Sequence, residues 1–232
     1  MKRKKAIFFV LFGSDLGGVC VCVCVRVRAC VRGRGGALLS LIGMFTNLSN
    51  ANIKVSSNGK EDIDWLVLEK KDRKVLVISK YALDGKLYNT SITDVTWETC
   101  TLREWLNNDF INAAFSADEK SMIPTVTVSA DKNPDFSTDP GSATKDQVFL
   151  LSITEANKYF NSDSARPCKT SDYAVANGVW ETPSRFCRWW LRSPGSYQTD
   201  AAFVYSDGDV SCGSVTISDN AVRPAIWIDL NP

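Results

Sequence analysis

A chain of 232 residues with 44% apolar content is long enough to bury one medium-sized core. It contains no histidine, which excludes Ser-His-Asp and Cys-His catalysis, His-ligated zinc and histidine pH switching. The net charge of +1 hides an asymmetry: residues 1–36 hold eight Lys/Arg and one acid, leaving 19 bases against 25 acids, a net of −6, for the remainder. So acidic a body is unsuited to phosphate contacts, and no nucleic-acid partner is expected.

The chain opens with MKRKKAIFFVLFG, a basic stretch followed by an apolar run of the kind that begins a signal peptide. The apolar run, residues 6–12, is short, and no small-x-small cleavage site follows before Asp15. Next comes VCVCVCVRVRACVRGRGG, an alternation that fits a strand but is also what a simple nucleotide repeat would encode. The favoured expectation is that residues 1–50 lie outside the folded domain; the alternative is an unusual export signal. An export signal would put the protein outside the cell or on its surface, and its absence would leave it in the cytoplasm.

Eight cysteines are present, and no C-x-x-C occurs. Cys20, Cys22 and Cys24 could hold a soft metal, but a compositional accident is preferred. Neither a metal nor a cofactor is expected. Cys100, Cys168, Cys187 and Cys212 are scattered, and one or two disulfides among them are compatible with export.

Folding signals begin at Asp62. Residues 64–69 and 74–79 read as strands joined by the polar turn 70–73. Residues 81–88 read as a loop carrying an Asp84-Gly85 turn. Thr101-Leu102-Arg103-Glu104 fits a capping box opening a helix, with Leu102, Trp105, Leu106, Phe110 and Ala113 on one face. Ser116–Glu119 is a second capping box, opening a short helix that ends near Pro124. Residues 125–129 alternate as a strand. Residues 130–145 read as a solvated surface loop, preferred over a calcium loop because the EF-hand register and closing Glu are missing. Residues 146–152 read as a buried strand, and Ser152–Glu155 caps a third helix reaching about Phe160. Residues 161–185 look irregular, with 173–176 as a possible strand. Short helices among many short strands indicate an α+β fold in one domain, residues 62–230.

The last stretch has two stiff ends and a soft middle. Arg188-Trp189-Trp190-Leu191-Arg192-Ser193-Pro194-Gly195 is one end, and Val222-Arg223-Pro224-Ala225-Ile226-Trp227-Ile228 is the other. Trp189, Trp190 and Trp227 are large enough to anchor a core. Arg188, Arg192 and Arg223 are expected to pair with carboxylates or carbonyls at its edge. Residues 196–220 carry four Asp and no Lys or Arg on a thin apolar skeleton.

Taken together, the blocks W-x-V-L, L-x-I-S, T-L-R-x-W-L-N-x-x-F, F-S-x-x-E, D-x-V-F-L-L-S-x-x-E, W-W-L-R-S-P-G and V-R-P-A, over about residues 62–230, resemble a bacterial family of uncharacterised domains. That family is in turn similar to the C-type-lectin-like variable proteins of diversity-generating retroelements. The resemblance implies a C-type-lectin-like fold, with short helices packed on small antiparallel sheets and the W-W-L-R-S-P-G and V-R-P-A blocks as fixed frame. It also implies a displayed binding surface made of Ser196, Tyr197, Asp200, Phe203, Tyr205, Ser206, Asp207, Asp209, Ser211, Cys212, Ser214, Thr216, Ser218, Asp219 and Asn220. Adenine-directed mutation of AAC or AAT codons cannot yield Lys, Glu, Gln, Met or Trp, and residues 196–220 contain none of these except Gln198.

The expected function is therefore non-enzymatic recognition of a protein or cell-surface ligand, with Tyr197, Phe203 and Tyr205 as contact anchors and the acidic middle favouring a basic or hydrogen-bonding ligand. Two other readings stand beside it. One is a carbohydrate-binding module of fixed specificity, although the Glu-Pro-Asn and Trp-Asn-Asp of calcium-dependent lectins are missing. The other is an enzyme of the formylglycine-generating type, which would need a cysteine pair such as Cys187 and Cys212.

Overall fold

The computed structural model describes residues 63–230 and, in the preceding segment, the backbone of three strands: β1 (Lys5–Ile7), β2 (Cys24–Arg26) and β3 (Arg28–Cys30). β1 pairs with β3, and β2 lies antiparallel to the start of β4, with Cys24 opposite Leu66. The remaining expectations for residues 1–50 fall outside the described residues.

The expected hairpin is present as β4 (Asp64–Lys71) and β5 (Lys74–Ser79). Lys71 pairs with Lys74 around a two-residue turn in which Asp72 has φ 53°, a conformation Asp tolerates. β5 is buried from Val75 to Ser79, matching its continuous apolar run. Asp84–Gly85, expected to turn within a loop, instead forms a short strand, β6. It pairs with a strand far along the chain, which a local motif cannot reveal.

The main helix starts at α1 (Thr101–Trp105), passes through a π-helical stretch (Leu106–Phe110) and continues as α2 (Ile111–Ala114). The Thr101 capping box does not form. Cys100 is the N-cap, its Sγ accepting from Arg103 N, while Asn89 Oδ1 accepts from Thr101 N. A side chain from a distant loop thus supplies the acceptor that the local motif was expected to supply. The other two capping boxes form as expected. Ser116 opens α3 (Ala117–Ser121) with Glu119, and Ser152 opens α4 (Ile153–Tyr159) with Glu155.

Between these helices lie β7 (Val126–Val128), β8 (Thr144–Asp146) and β9 (Val148–Phe149). A 3-10 turn (Asp163–Ala165) and β10 (Cys168–Lys169) follow α4. Residues 173–176, a possible strand by alternation, belong to α5 (Asp172–Ala176). Ser171 caps it by accepting from Ala174 N, a start signal that outweighs the short alternation. The chain ends with β11 (Phe186–Cys187), β12 (Trp189–Pro194), β13 (Asp200–Val204), β14 (Val210–Ser214), β15 (Ala221–Val222) and β16 (Ala225–Asp229).

The architecture is α+β, dominated by two five-stranded sheets. The first runs β2-β4-β5-β16-β9 and the second β14-β13-β12-β15-β6. Pairings are antiparallel except β12 with β15. β7-β8 and β10-β11 are two-stranded ribbons. One core joins both sheets, and Trp65, Trp189 and Trp190 are among its largest fully buried side chains. Among the described residues no helix is long and apolar enough to cross a membrane.

Candidate functional site

The two stiff ends of the C-terminal stretch hold the two sheets together. β12 is the middle strand of the second sheet and is buried along its whole length. Val222 ends β15 in the second sheet, and Ala225 begins β16 in the first. Arg223-Pro224 is thus the joint where the chain changes sheets. There Ser79 N donates to Pro224 O at 2.9 Å and Leu83 N to Val222 O at 2.9 Å.

The frame arginines pair with carboxylates and carbonyls, as expected, although Arg188 Nε is buried without a partner. Arg192, 3% exposed, donates to Leu150 O (2.9 Å), Ser129 O (3.1 Å), Asp131 Oδ2 (3.2 Å) and Glu155 Oε2. Arg223, 2% exposed, donates to Ser79 O at 3.0 Å, and its guanidinium lies 4.9 Å from the Trp189 ring centre and 5.1 Å from that of Phe160. Arg188 pairs with Asp219 at 2.5 Å. Buried charge is tolerated only with such compensation. Trp189 donates to Arg166 O and Trp190 to Lys86 O, so neither indole N–H is left unpaired.

The soft middle is built outward from this frame. Gly195 closes β12, and a side chain there would lie 2.4 Å from Asp200 Cβ. Only glycine lets β12 and the start of β13 approach so closely. Of residues 130–145, expected to be a solvated loop, Thr144 and Lys145 belong to β8, and the rest pack against the start of the middle. Asn133 Nδ2 donates to Pro194 O, Thr138 Oγ1 to Gly195 O, and Asp139 N to Gln198 Oε1. Gln198 returns bonds to Val95 O and Asp139 O at 3.0 and 2.9 Å. The β13–β14 hairpin is anchored at its tip. Gly208 has φ +98°, its oxygen accepts from Arg166 Nε at 2.8 Å, and a Cβ on it would sit 1.8 Å from Asp163 O.

Thirteen of the fifteen expected surface residues are at least partly exposed, and the structure gathers them mainly into three groups. At one end of the hairpin, Ser196 Oγ donates to Asp200 Oδ2 (3.1 Å), Asp200 faces Ser214, and the Ser214 and Thr216 hydroxyls are 3.0 Å apart. Tyr197, 72% exposed, stands beside them in the turn to Asp200. At the other end lie Tyr205 (39% exposed), Ser206, Asp207 and Asp209. Asp219 forms the third group with Arg188, next to the exposed Ser218. Ser211 and Cys212 lie between, half-buried on β14, the strand at the edge of the sheet.

Two expected surface residues point inward. Phe203, 2% exposed, packs edge-on against Trp190 at 5.9 Å and Tyr205 at 5.0 Å. β13 is buried on both faces from Ala201 to Val204, so the Phe203 ring is enclosed whichever face it takes. Asn220 is fully buried just before β15, and its amide finds no hydrogen-bond partner. Its place next to a central strand decides its burial, whatever its polarity.

Trp180 was not expected at the surface. It is 47% exposed, its backbone N–H donates to Asp219 O, and the Arg188 guanidinium lies 5.6 Å from its ring centre. A large aromatic in an otherwise irregular polar stretch was the available signal. The pair Cys187 and Cys212 is not brought together. Cys187 faces Cys168 across β10 and β11, while Cys212 faces Ala202 on the edge strand β14. Among the described residues no group of three His, Cys, Asp or Glu is placed to hold a metal ion. Asp131 is engaged by Arg192 and by Ser152 Oγ.

No curated protein and no solved structure matches the chain. A family model covers residues 72–230, from the β4–β5 turn to the end of the described chain. The match takes in the whole second sheet, β5, β9 and β16 of the first, and every group of the candidate surface, and by it the chain belongs to the family described as a domain of unknown function, DUF6273.

Proposed function

We propose that this domain is a non-enzymatic recognition module with a C-type-lectin-like arrangement, and that residues 196–219 form its binding surface. The observation that carries this reading is the division of labour within the segment. Exposed Tyr205, Asp207 and Asp209 sit on a hairpin held from behind by Trp190 and at its tip by Arg166, and exposed Tyr197 stands in the turn that leads into it. Rigid aromatic groups on a preorganised support give contact area at low entropic cost. Support for the lectin-like arrangement comes from β5 and β16, near the two ends of the domain, which pair directly while the second sheet is inserted between them in the chain.

The same division supports a retroelement-diversified surface. Gln198 is the one residue of 196–220 that adenine-directed mutation of AAC or AAT codons cannot produce. It is also the side chain that ties the segment to Val95 and Asp139, a frame role rather than a displayed one. Deep sequencing of codons 62–230 in an expanding population of source cells tests this. Substitutions confined to codons 196–219 and sparing Gln198 and the glycines are the expected result. A uniform sequence would remove active diversification and leave a binder of fixed specificity.

A basic or hydrogen-bonding ligand fits the acidic tip of the hairpin. Arrays of basic peptides and of glycans, probed with the full chain and with a Tyr197→Ala, Tyr205→Ala double variant, test the recognition reading itself. Binding lost in the double variant supports it; binding unaffected by both changes would move the site elsewhere. Carbohydrate binding is the second reading, favoured by Trp180, whose half-exposed ring beside Asp219 and Arg188 offers an apolar face next to polar groups. Glycan signals that depend on Trp180 rather than on the two tyrosines would select it.

A further inference from the structure

Cys168 and Cys187 face one another as direct partners across the antiparallel ribbon β10–β11. They are 1% and 0% exposed. The Cys187 thiol donates to Cys168 O at 3.4 Å, and the Cys168 thiol lies 3.6 Å from Lys80 O and 3.5 Å from Lys169 O. Direct cross-strand partners have Cα atoms about 4.5–5.5 Å apart, inside the range that a disulfide spans. The other two described cysteines are placed differently. Cys100 caps α1, and Cys212 stands on β14 opposite Ala202. The recognition surface makes no use of the facing pair.

We propose that Cys168 and Cys187 are an oxidisable dithiol that closes to an intrachain disulfide, with a low-molecular-weight disulfide such as glutathione disulfide as the oxidant. In the first step the Cys168 thiolate attacks one sulfur of the oxidant, forms a mixed disulfide and releases one thiolate. In the second, the Cys187 sulfur, having lost its proton, attacks Cys168 Sγ and releases the second thiolate. One oxidant disulfide is reduced to two thiols, and the protein loses two electrons and two protons.

The electrostatics agree with this order of attack. Burial acts to raise the Cys168 thiol, but the hydrogen bond from Cys187 and the charge of Arg223 outweigh it and bring Cys168 below the ordinary range. The bond to Cys168, together with burial, holds Cys187 well above it. The lower member of the pair is the better first nucleophile at neutral pH. Access requires local opening of β10 and β11, each two residues long.

Closure would cross-link a loop of about 20 residues that contains α5 and Trp180. It would fix that loop beside Asp219, whose carbonyl accepts from Trp180 N. The proposal stands independently of what the surface binds.

The test uses the full chain, equilibrated across a series of reduced-to-oxidised glutathione ratios and quenched in acid. Free thiols are then alkylated under denaturing conditions and the digest is read by mass spectrometry. The expected result is a peptide linking Cys168 to Cys187, appearing with a single two-electron midpoint, while Cys100 stays alkylatable. The oxidised protein should unfold at a Tm higher than the reduced one by on the order of 5–10 °C. That difference should vanish in Cys168→Ser and persist in Cys212→Ser. Recovery of both cysteines alkylated at every ratio would overturn the proposal. So would links from either residue to Cys212 or to the N-terminal cysteines, or glutathione found on the more exposed Cys212 with none of the internal link formed.

Discussion

The frame and the displayed segment are adjacent in sequence and differ in almost every physical respect. From Trp189 to Pro194 every residue is buried; from Ser196 to Asp200 none is. The frame satisfies its charges internally, with Arg192 reaching Asp131, Glu155 and the Leu150 carbonyl. The hairpin leaves Asp207 and Asp209 exposed to water. Side-chain identity in the frame is set by packing and by the need to pair buried polar groups. In and beside the segment the constrained positions are Gly195 and Gly208 by close approach, Gln198 by its hydrogen bonds, and Ala201 to Val204, Val215 and Asn220 by burial. The exposed positions, Tyr197, Tyr205, Asp207, Asp209 and Ser218, are the least constrained by packing, which suits the proposed recognition surface.

Substitutions can break this contrast or sharpen it. The largest effect is expected in the frame. Trp189→Ala would empty space beneath both Arg223 and Phe160 and cost about 3–5 kcal/mol of stability, read from urea unfolding. A loss under about 1 kcal/mol would mean that the frame is not where the stability resides. Gly208→Ala comes next. Its positive φ and the nearness of Asp163 O leave no room for a Cβ, so about 1–3 kcal/mol is expected. Amide exchange should then rise in the β13–β14 hairpin before it rises in β12.

Tyr197→Ala should be invisible to unfolding, within about 0.5 kcal/mol, because most of its ring is already in water. Its effect should fall on ligand affinity, by a factor of ten or more, or about 1.4 kcal/mol. Measured in the same samples, these opposite responses would separate the two regions.

The smallest effect lies outside both. Glu69 accepts from Lys158 Nζ at 2.8 Å and from Tyr159 Oη at 2.5 Å, and these bonds, that to Lys158 first, hold its carboxyl below the ordinary glutamate range. A depressed carboxyl adds stability above its unfolded pKa and loses it as pH falls through the folded one. Glu69→Gln should therefore flatten the acid side of the stability curve slightly and leave neutral-pH ligand binding unchanged, checked by thermal melts between pH 3 and pH 7.

Several features were legible in the sequence because they are set locally. The β4–β5 hairpin follows from two apolar runs around a polar turn, and α3 and α4 follow from Ser-x-x-Glu capping boxes that close within one turn. The α+β class follows from the mixture of such signals. The missing histidine removes whole chemistries whatever the fold. The burial of Trp189 and Trp190 and the pairing of the frame arginines were also foreseeable, because large aromatics beside guanidinium groups have few other stable arrangements.

Tertiary structure decided what depends on partners remote in the chain. Asp84-Gly85 became a strand because β15, more than a hundred residues later, lies beside it. Thr101 lost its capping role because Cys100 and Asn89 supply the acceptors there. The loop 130–143 became a wall of the candidate surface through bonds to Pro194, Gly195 and Gln198. Phe203 and Asn220 went inside, Trp180 came to the surface, and Cys187 met Cys168 rather than Cys212. The sequence by itself determined which residues could pack, cap or turn, since those preferences act over one or two turns of chain. Only the folded arrangement decided which of them meet, since strand pairing and burial are set by neighbours that local pattern does not encode.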